Sequence, residues 1–143
     1  MLLRKRNLYL VALAVSLCAM LGSLYYSEIK GLTPCTLCWY QRILMYPIVF
    51  LSLIGLRYRD HMLPRYVLPL SLIGGAIAAY HYVIQMFHPA AVNGFINCTK
   101  NGVSCTTIDL SYFGFVTIPL LSLIAFLIIA GAMFAALRTG DWK

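Results

Sequence analysis

The chain has 143 residues, 62% of them apolar and 10% charged, with eleven basic and four acidic side chains that give a formal net charge of +7. An ordinary soluble domain is about 45–50% apolar and about 25% charged, so this chain lacks the polar side chains needed to coat a water-facing surface. Its apolar content also excludes intrinsic disorder, and its length sets a single domain.

Four uncharged stretches follow one another: Leu8 to Tyr26, Ile43 to Leu56, Tyr66 to Phe87, and Tyr112 to Leu137. A helix needs roughly 20 residues to cross about 30 Å of hydrocarbon, and three of the four reach that length alone. The second, at fourteen residues, covers only about 21 Å at about 1.5 Å per residue. Its helix is therefore expected to begin upstream, near Cys38 or Trp39, which draws Arg42 into the membrane. Backbone polar groups in lipid must be satisfied within the segment, and runs this long without alternation are not barrel strands. The expected fold is all-α, an integral membrane four-helix bundle with spans at approximately 8–26, 39–57, 66–87 and 112–137. Tyr25, Tyr26, Trp39, Tyr40, Tyr58, Tyr66, Tyr112 and Phe113 gather at the expected ends, where amphipathic rings sit at headgroup depth. Pro47, Pro69 and Pro119 fall inside the second, third and fourth spans, where kinks are tolerated.

Arg4, Lys5 and Arg6 precede the first stretch as in a signal peptide, but that stretch is longer than a usual signal core and no small-x-small cleavage site follows it. It is expected to be retained. Lys and Arg are held on the cytoplasmic side. Arg4, Lys5 and Arg6 at the N-terminus, Arg57, Arg59 and Arg65 in the middle connection, and Arg138 and Lys143 in the tail put eight basic residues on one side. Both termini and the middle connection are therefore expected to be cytoplasmic, in a multi-pass membrane protein. The positive charge is thus a topology signal, and no basic stripe interleaved with aromatics marks a nucleic-acid partner.

That topology places Cys35 and Cys38 in one extracytoplasmic loop and Cys98 and Cys105 in the other, facing the compartment in which disulfides persist. Two structural disulfides are one reading; a Cys-x-x-Cys ring, however, closes so small a loop that it gains little by constraining the unfolded chain. The spacing Cys35-Thr36-Leu37-Cys38 suits thiol–disulfide exchange. Cys38 falls at the projected N-terminus of the second helix, where free amides and the helix dipole favour a thiolate. Arg42 lies one turn deeper on the same face. Either it snorkels to the headgroups, or it stabilises a Cys38 thiolate and an anion formed beside it, with a membrane quinone as the candidate oxidant. His81 and Gln85 share a face near the outer end of the third span and either line a pocket at that depth or satisfy neighbours locally. Cys98 and Cys105 enclose six residues of an expected irregular, mobile loop, and exposed disulfides are the exchangeable ones. Cys18, mid-membrane, reads as a small apolar packing residue.

Pro34-Cys35-Thr36-Leu37-Cys38-Trp39-Tyr40-Gln41-Arg42, the helix-embedded His81 with Gln85, and the outer-loop Cys98 and Cys105 together resemble the DsbB disulfide-formation family, most closely its shorter Bacillus-type BdbC branch. The DsbA–DsbB–quinone relay keeps the bacterial periplasm oxidising. The resemblance implies a dithiol:quinone oxidoreductase that reoxidises an extracytoplasmic thioredoxin-like partner, a DsbA- or BdbD-like thiol oxidase, and draws on the quinone pool of the bilayer. It implies that the partner's thiol attacks Cys98, that Cys105 then attacks Cys35, and that Cys38 becomes the thiolate facing quinone. It further implies that Arg42, His81 and Gln85 contact quinone, menaquinone before ubiquinone, and that no metal takes part. The second loop is shorter than in proteobacterial members, so a docking segment used there is absent here. Two other classes stand beside this one. The first is a membrane protein whose four outer cysteines bind a structural zinc. The second is an ion-coupled transporter, which would carry acidic residues inside its spans; Glu28, Asp60, Asp109 and Asp141 all lie outside them.

Overall fold

The computed structural model describes residues 2–31, 34–87, 111–112 and 116–139. Helix α1 (Leu2–Leu24) runs into a π-helical turn (Tyr25–Ile29), followed by α2 (Thr36–Tyr58) and α3 (Leu63–Phe87). Strand β1 (Ser111–Tyr112) pairs antiparallel with β2 (Val116–Thr117), and α4 (Ile118–Arg138) closes the chain. Each helix carries an apolar stretch long enough to cross a membrane, Arg4–Ile29, Thr36–Tyr58, Leu63–Met86 and Ile118–Arg138. The expected four-helix membrane fold is the one observed.

Two of the boundary differences from expectation bear on the site. The second helix starts at Thr36, so both Cys35 and Cys38 belong to its N-terminal turn. The fourth starts at Ile118, not Tyr112, because Ser111 pairs with Thr117 and Tyr112 with Val116. Pro119 is inside the span, as expected, but in the first turn of α4; its fixed φ and missing N–H suit that position and cause no kink.

The helices form a closed ring in which α1 packs on α2, α2 on α3, α3 on α4, and α4 back on α1. Tyr9, Met45, Ile48, Leu63, Val67, Phe126, Ile129 and Met133 fill the centre. Phe50, Leu53, Ile54, Leu72, Ile73 and Leu127 point outward and are more than half exposed, which suits a surface solvated by lipid tails. The connection between α2 and α3 is tight: Arg59 takes a left-handed conformation at φ 52°, and the Asp60 carboxylate accepts the Met62 amide at 2.8 Å. The Tyr9 hydroxyl donates to the Asp60 carbonyl at 2.9 Å. The N-terminal end of α1 and the α2–α3 connection thus share one end of the bundle, the end rich in arginine and lysine.

Close approach of α3 to α4 depends on Gly74, where a Cβ would overlap the Phe126 ring. Phe126 is almost fully buried, so the ring has nowhere to turn. Gly74→Ala is expected to destabilise the bundle by about 1–3 kcal/mol, the usual range for overpacking, with partial recovery in Gly74→Ala/Phe126→Leu. Thermal unfolding in detergent, followed by circular dichroism, checks both variants.

Candidate active site

The N-terminus of α2 brings the first cysteine pair together. Cys35 is the N-cap residue with extended backbone (φ −68°, ψ 167°), and Cys38 is the third residue of the helix. Positions N-cap and N3 point side chains toward one another, as in a capping box, and here the two sulfurs stand 3.1 Å apart. The pair rests on α3: Cys35 is buried with Leu37 and Ile84, and Ile77 packs beside them. His81 projects from the same α3 face and brings Nε2 to 3.8 Å from the Cys35 sulfur. In this reduced pair Cys35 is pulled well below the ordinary thiol pKa. The hydrogen bond with Cys38 is the largest cause, burial opposes it, and His81 adds a further lowering through its hydrogen bond and charge. The sulfur at the very start of the helix is therefore Cys35, where the sequence alone pointed to Cys38.

His81, only 2% exposed, is held from its other side. The Gln41 side-chain nitrogen lies 3.1 Å from His81 Nδ1. Ser122 Oγ on α4 lies 2.5 Å from Gln41 Oε1 and 3.0 Å from the Pro119 carbonyl. A polar line thus crosses three helices, from Ser122 through Gln41 and His81 to Cys35.

Arg42 reaches across from α2 to the end of α1. Its guanidinium donates to the Ser23 carbonyl at 3.0 Å and to Ser27 Oγ at 3.4 Å, and it lies 5.8 Å from the centre of the Trp39 ring. Ser27 belongs to the π-helical turn, and Ser23 sits just before it. Such widened turns free backbone groups and recur at functional sites.

A cavity of about 550 Å³ opens between the helices, and Cys35, Cys38, Arg42, His81 and Gln85 all line it. Ala14, Cys18, Ala19 and Gly22 on α1, with Pro119 and Ala125 on α4, make the rest of its wall apolar. Cys18 is exposed at this wall, not packed in the interior as expected. Tyr46 also borders the cavity, and its hydroxyl is buried with no hydrogen-bond partner among the described residues.

Five expected site residues therefore meet in one place, while Cys98 and Cys105 lie outside the described residues, as does their loop. Of the four outer cysteines the described residues hold the first pair, which gathers with an imidazole so that two thiols and a ring nitrogen lie within 4.8 Å of one another, a set that could itself hold a metal ion. Sequence reasoning missed Gln41, Tyr46 and Ser122 as site residues. For two of them a signal existed: Gln41 and Tyr46 fall at helical spacing from Cys38 and Arg42, so one face carries all four.

Two thiols within reach of a single bond, held beside an imidazole inside a membrane bundle, define a membrane thiol oxidoreductase. The chain belongs to the DsbB family: the model described as disulfide bond formation protein DsbB matches residues 5–136. It is 46% identical over 129 residues to disulfide bond formation protein C of Bacillus subtilis (strain 168), covering 89% of this chain and 88% of that protein. It is 49% identical over 123 residues to the probable disulfide formation protein C of Halalkalibacterium halodurans, covering 86% and 88%. The SPbeta prophage-derived disulfide bond formation protein B of Bacillus subtilis is 42% identical over 126 residues, covering 88% and 82%. No solved structure matches the chain. Membership of this family makes the protein a multi-pass membrane enzyme of disulfide bond formation.

Proposed function

We propose that the protein is a dithiol:quinone oxidoreductase of the bacterial cell membrane that reoxidises an extracytoplasmic DsbA- or BdbD-like thiol oxidase. The cysteine end of the bundle faces outside, and the basic end, with Arg4, Arg6, Arg57 and Arg59, faces the cytoplasm. The observation that carries the reading is the meeting of the Cys35–Cys38 pair with His81 and Arg42 at the polar end of one apolar-walled cavity.

The residues fit a quinone. The cavity volume lies in the range of small-molecule sites, about 300–1,000 Å³, with small apolar side chains along α1 for an isoprenoid body. Arg42, Gln85 and the orphaned Tyr46 hydroxyl are placed to hold the oxygens of its head, with the His81 ring lining the cavity beside them. When bound, a quinone supplies an acceptor of two electrons and two protons; menaquinone is the expected form, as the Bacillus-type likeness implies. Closing the Cys35–Cys38 disulfide forms one S–S bond, breaks two S–H bonds and releases that number of electrons and protons. Cys35, with the His81 imidazole on its sulfur, is placed to act as the attacking sulfur of the reduced pair. When Cys35 is instead tied to Cys105, Cys38 is the sulfur left free, so the two thiolate assignments describe successive states. Cys98 is the expected entry point for the partner's electrons.

Quinone reduction by detergent-purified protein fed with a reduced thioredoxin-like oxidase tests the reading, and the cysteine variants that decide it are argued in the Discussion. Tyr46→Phe is a finer probe. Losing one neutral hydrogen bond, about 0.5–1.5 kcal/mol, is expected to raise the apparent quinone KM by roughly two- to tenfold with kcat little changed. An unaltered KM removes Tyr46 from the site.

A further inference from the structure

The polar line behind His81 has no part in electron transfer, yet it is built from buried groups that a membrane interior does not otherwise tolerate. Gln41 is 6% exposed and His81 2% exposed. Each polar end is matched: Ser122 to Gln41, Gln41 to His81 Nδ1, and His81 Nε2 to Cys35. A nucleophilic sulfur, an imidazole on that sulfur, and a third group on the far ring nitrogen make up the arrangement by which cysteine nucleophiles are activated.

The geometry points to Gln41, anchored by Ser122, as the positioning residue of a Cys35–His81–Gln41 triad that sets the protonation of Cys35. The proton on Cys35 Sγ passes to His81 Nε2: the S–H bond breaks, an N–H bond forms, and the electron pair stays on sulfur. His81 then carries a proton on each ring nitrogen, and the Nδ1–H needs an acceptor. Gln41 Oε1 provides one when the amide turns over, since its oxygen and nitrogen exchange places without moving the heavy-atom frame. Ser122 follows by accepting from the Gln41 nitrogen while donating to the Pro119 carbonyl 3.0 Å away. In the orientation seen here the amide donates to Nδ1, which suits the neutral ring with its proton on Nε2 directed at the Cys35 sulfur; the turned-over amide suits the Nδ1–H ring that takes the Cys35 proton and the imidazolium that results. An amide serves both states, which neither a carboxylate nor an apolar side chain can do.

The other titratable groups bordering this corner among the described residues are Cys38, Arg42 and Tyr46 from α2, Tyr26 from the π-helical turn, and Cys18 from α1. From α3, Gln85 is the other polar neighbour, and α4 offers only the Ser122 hydroxyl.

The inference takes from the proposed function only that Cys35 is a reacting sulfur, and its test needs neither quinone nor partner. In full-length protein carrying Cys18→Ala, Cys38→Ser, Cys98→Ser and Cys105→Ser, Cys35 is the single thiol. Its alkylation by iodoacetamide is followed against pH in detergent with chelator present. Gln41→Met, nearly isosteric and apolar, is expected to raise the midpoint of that profile by roughly one pH unit, the loss of one hydrogen bond to a charged group. Gln41→Glu, which still accepts from Nδ1–H, is expected to leave the midpoint at or below that of the parent. Ser122→Ala leaves α4 intact and frees only the amide, so a smaller upward shift is expected, and this variant carries the test should Gln41→Met not fold. Profiles for Gln41→Met or Ser122→Ala that superimpose on the parent overturn the triad. So does a Gln41→Glu midpoint raised as far as that of Gln41→Met, since the effect would then be one of packing. Either result leaves quinone reduction to be judged on its own assay, and a failed quinone assay leaves these profiles standing.

Discussion

Cys38→Ser is expected to bring quinone reduction down to the uncatalysed background whichever electron donor is supplied, whereas Cys98→Ser is expected to stop it only when the donor is the reduced partner oxidase. A hydroxyl cannot replace a thiol in an S–S bond, so with one sulfur gone the pair 3.1 Å apart has no way to release two electrons together. Cys35→Ser is expected to behave as Cys38→Ser does. In the proposed relay Cys98 stands at the other end. The proposed partner is a folded protein whose thiol must reach a sulfur in line, and Cys35, 8% exposed, is too enclosed for such an approach. A small dithiol such as dithiothreitol has no such limit and reaches the first pair through the cavity, so Cys98→Ser retains turnover with it. Each transfer runs downhill so long as the next couple is the more oxidising, at about 1.4 kcal/mol for every 30 mV in a two-electron step. Normal turnover by Cys38→Ser would end the relay reading. Full activity of Cys98→Ser with the protein donor would move the entry point elsewhere. Zinc bound tightly to a chain with four reduced outer cysteines would support the structural-metal alternative instead.

The parts of this molecule that sequence reveals are those governed by local physics. Helix lengths follow from the span of hydrocarbon, and the start of α2 could be moved upstream because fourteen apolar residues are too few to cross it. Cys35, Cys38 and Arg42 are legible because they share one helical turn and its neighbour. The boundary at α4 is not, because Tyr112, Phe113, Phe115 and Val116 are as apolar as the helix they precede, and hydropathy cannot separate a short paired strand from the first turn of a span. His81 could be suspected as a polar residue in an apolar helix, but its partners could not be named. Cys35 is 46 positions away and Gln41 is 40 positions away, and Ser122 meets Gln41 across 81. Such pairings are decided by how α2, α3 and α4 come together, which no period along the chain encodes. The same is true of Arg42. Its depth is readable from spacing, but its direction depends on a π-helical turn that leaves no mark in the apolar pattern.

For that arginine the expected result is a rise of about tenfold to a hundredfold in apparent quinone KM for Arg42→Ala, with the disulfides still formed. Two costs combine. The guanidinium is the one cation among the described residues lining the cavity that holds Cys35 and Cys38, and a hydrogen bond from a charged donor contributes about 1.5–3 kcal/mol, or one to two powers of ten. It also ties α2 to the end of α1 through the Ser23 carbonyl and Ser27, so its loss loosens the wall against which a quinone head would lie. Arg42→Lys separates the two. An ammonium keeps the charge but lacks the planar fork that reaches both Ser23 and Ser27 while lying over Trp39. If charge beside the cavity is what matters, Lys restores most of the affinity; if the brace matters, it restores little. Ser27→Ala tests the brace from the other side, since it removes the weaker of the two contacts without touching the charge. An Arg42→Ala KM equal to that of the parent would mean that the side chain serves only to anchor the helix at the membrane boundary, and the quinone oxygens would then have to be held by Tyr46 and Gln85 alone.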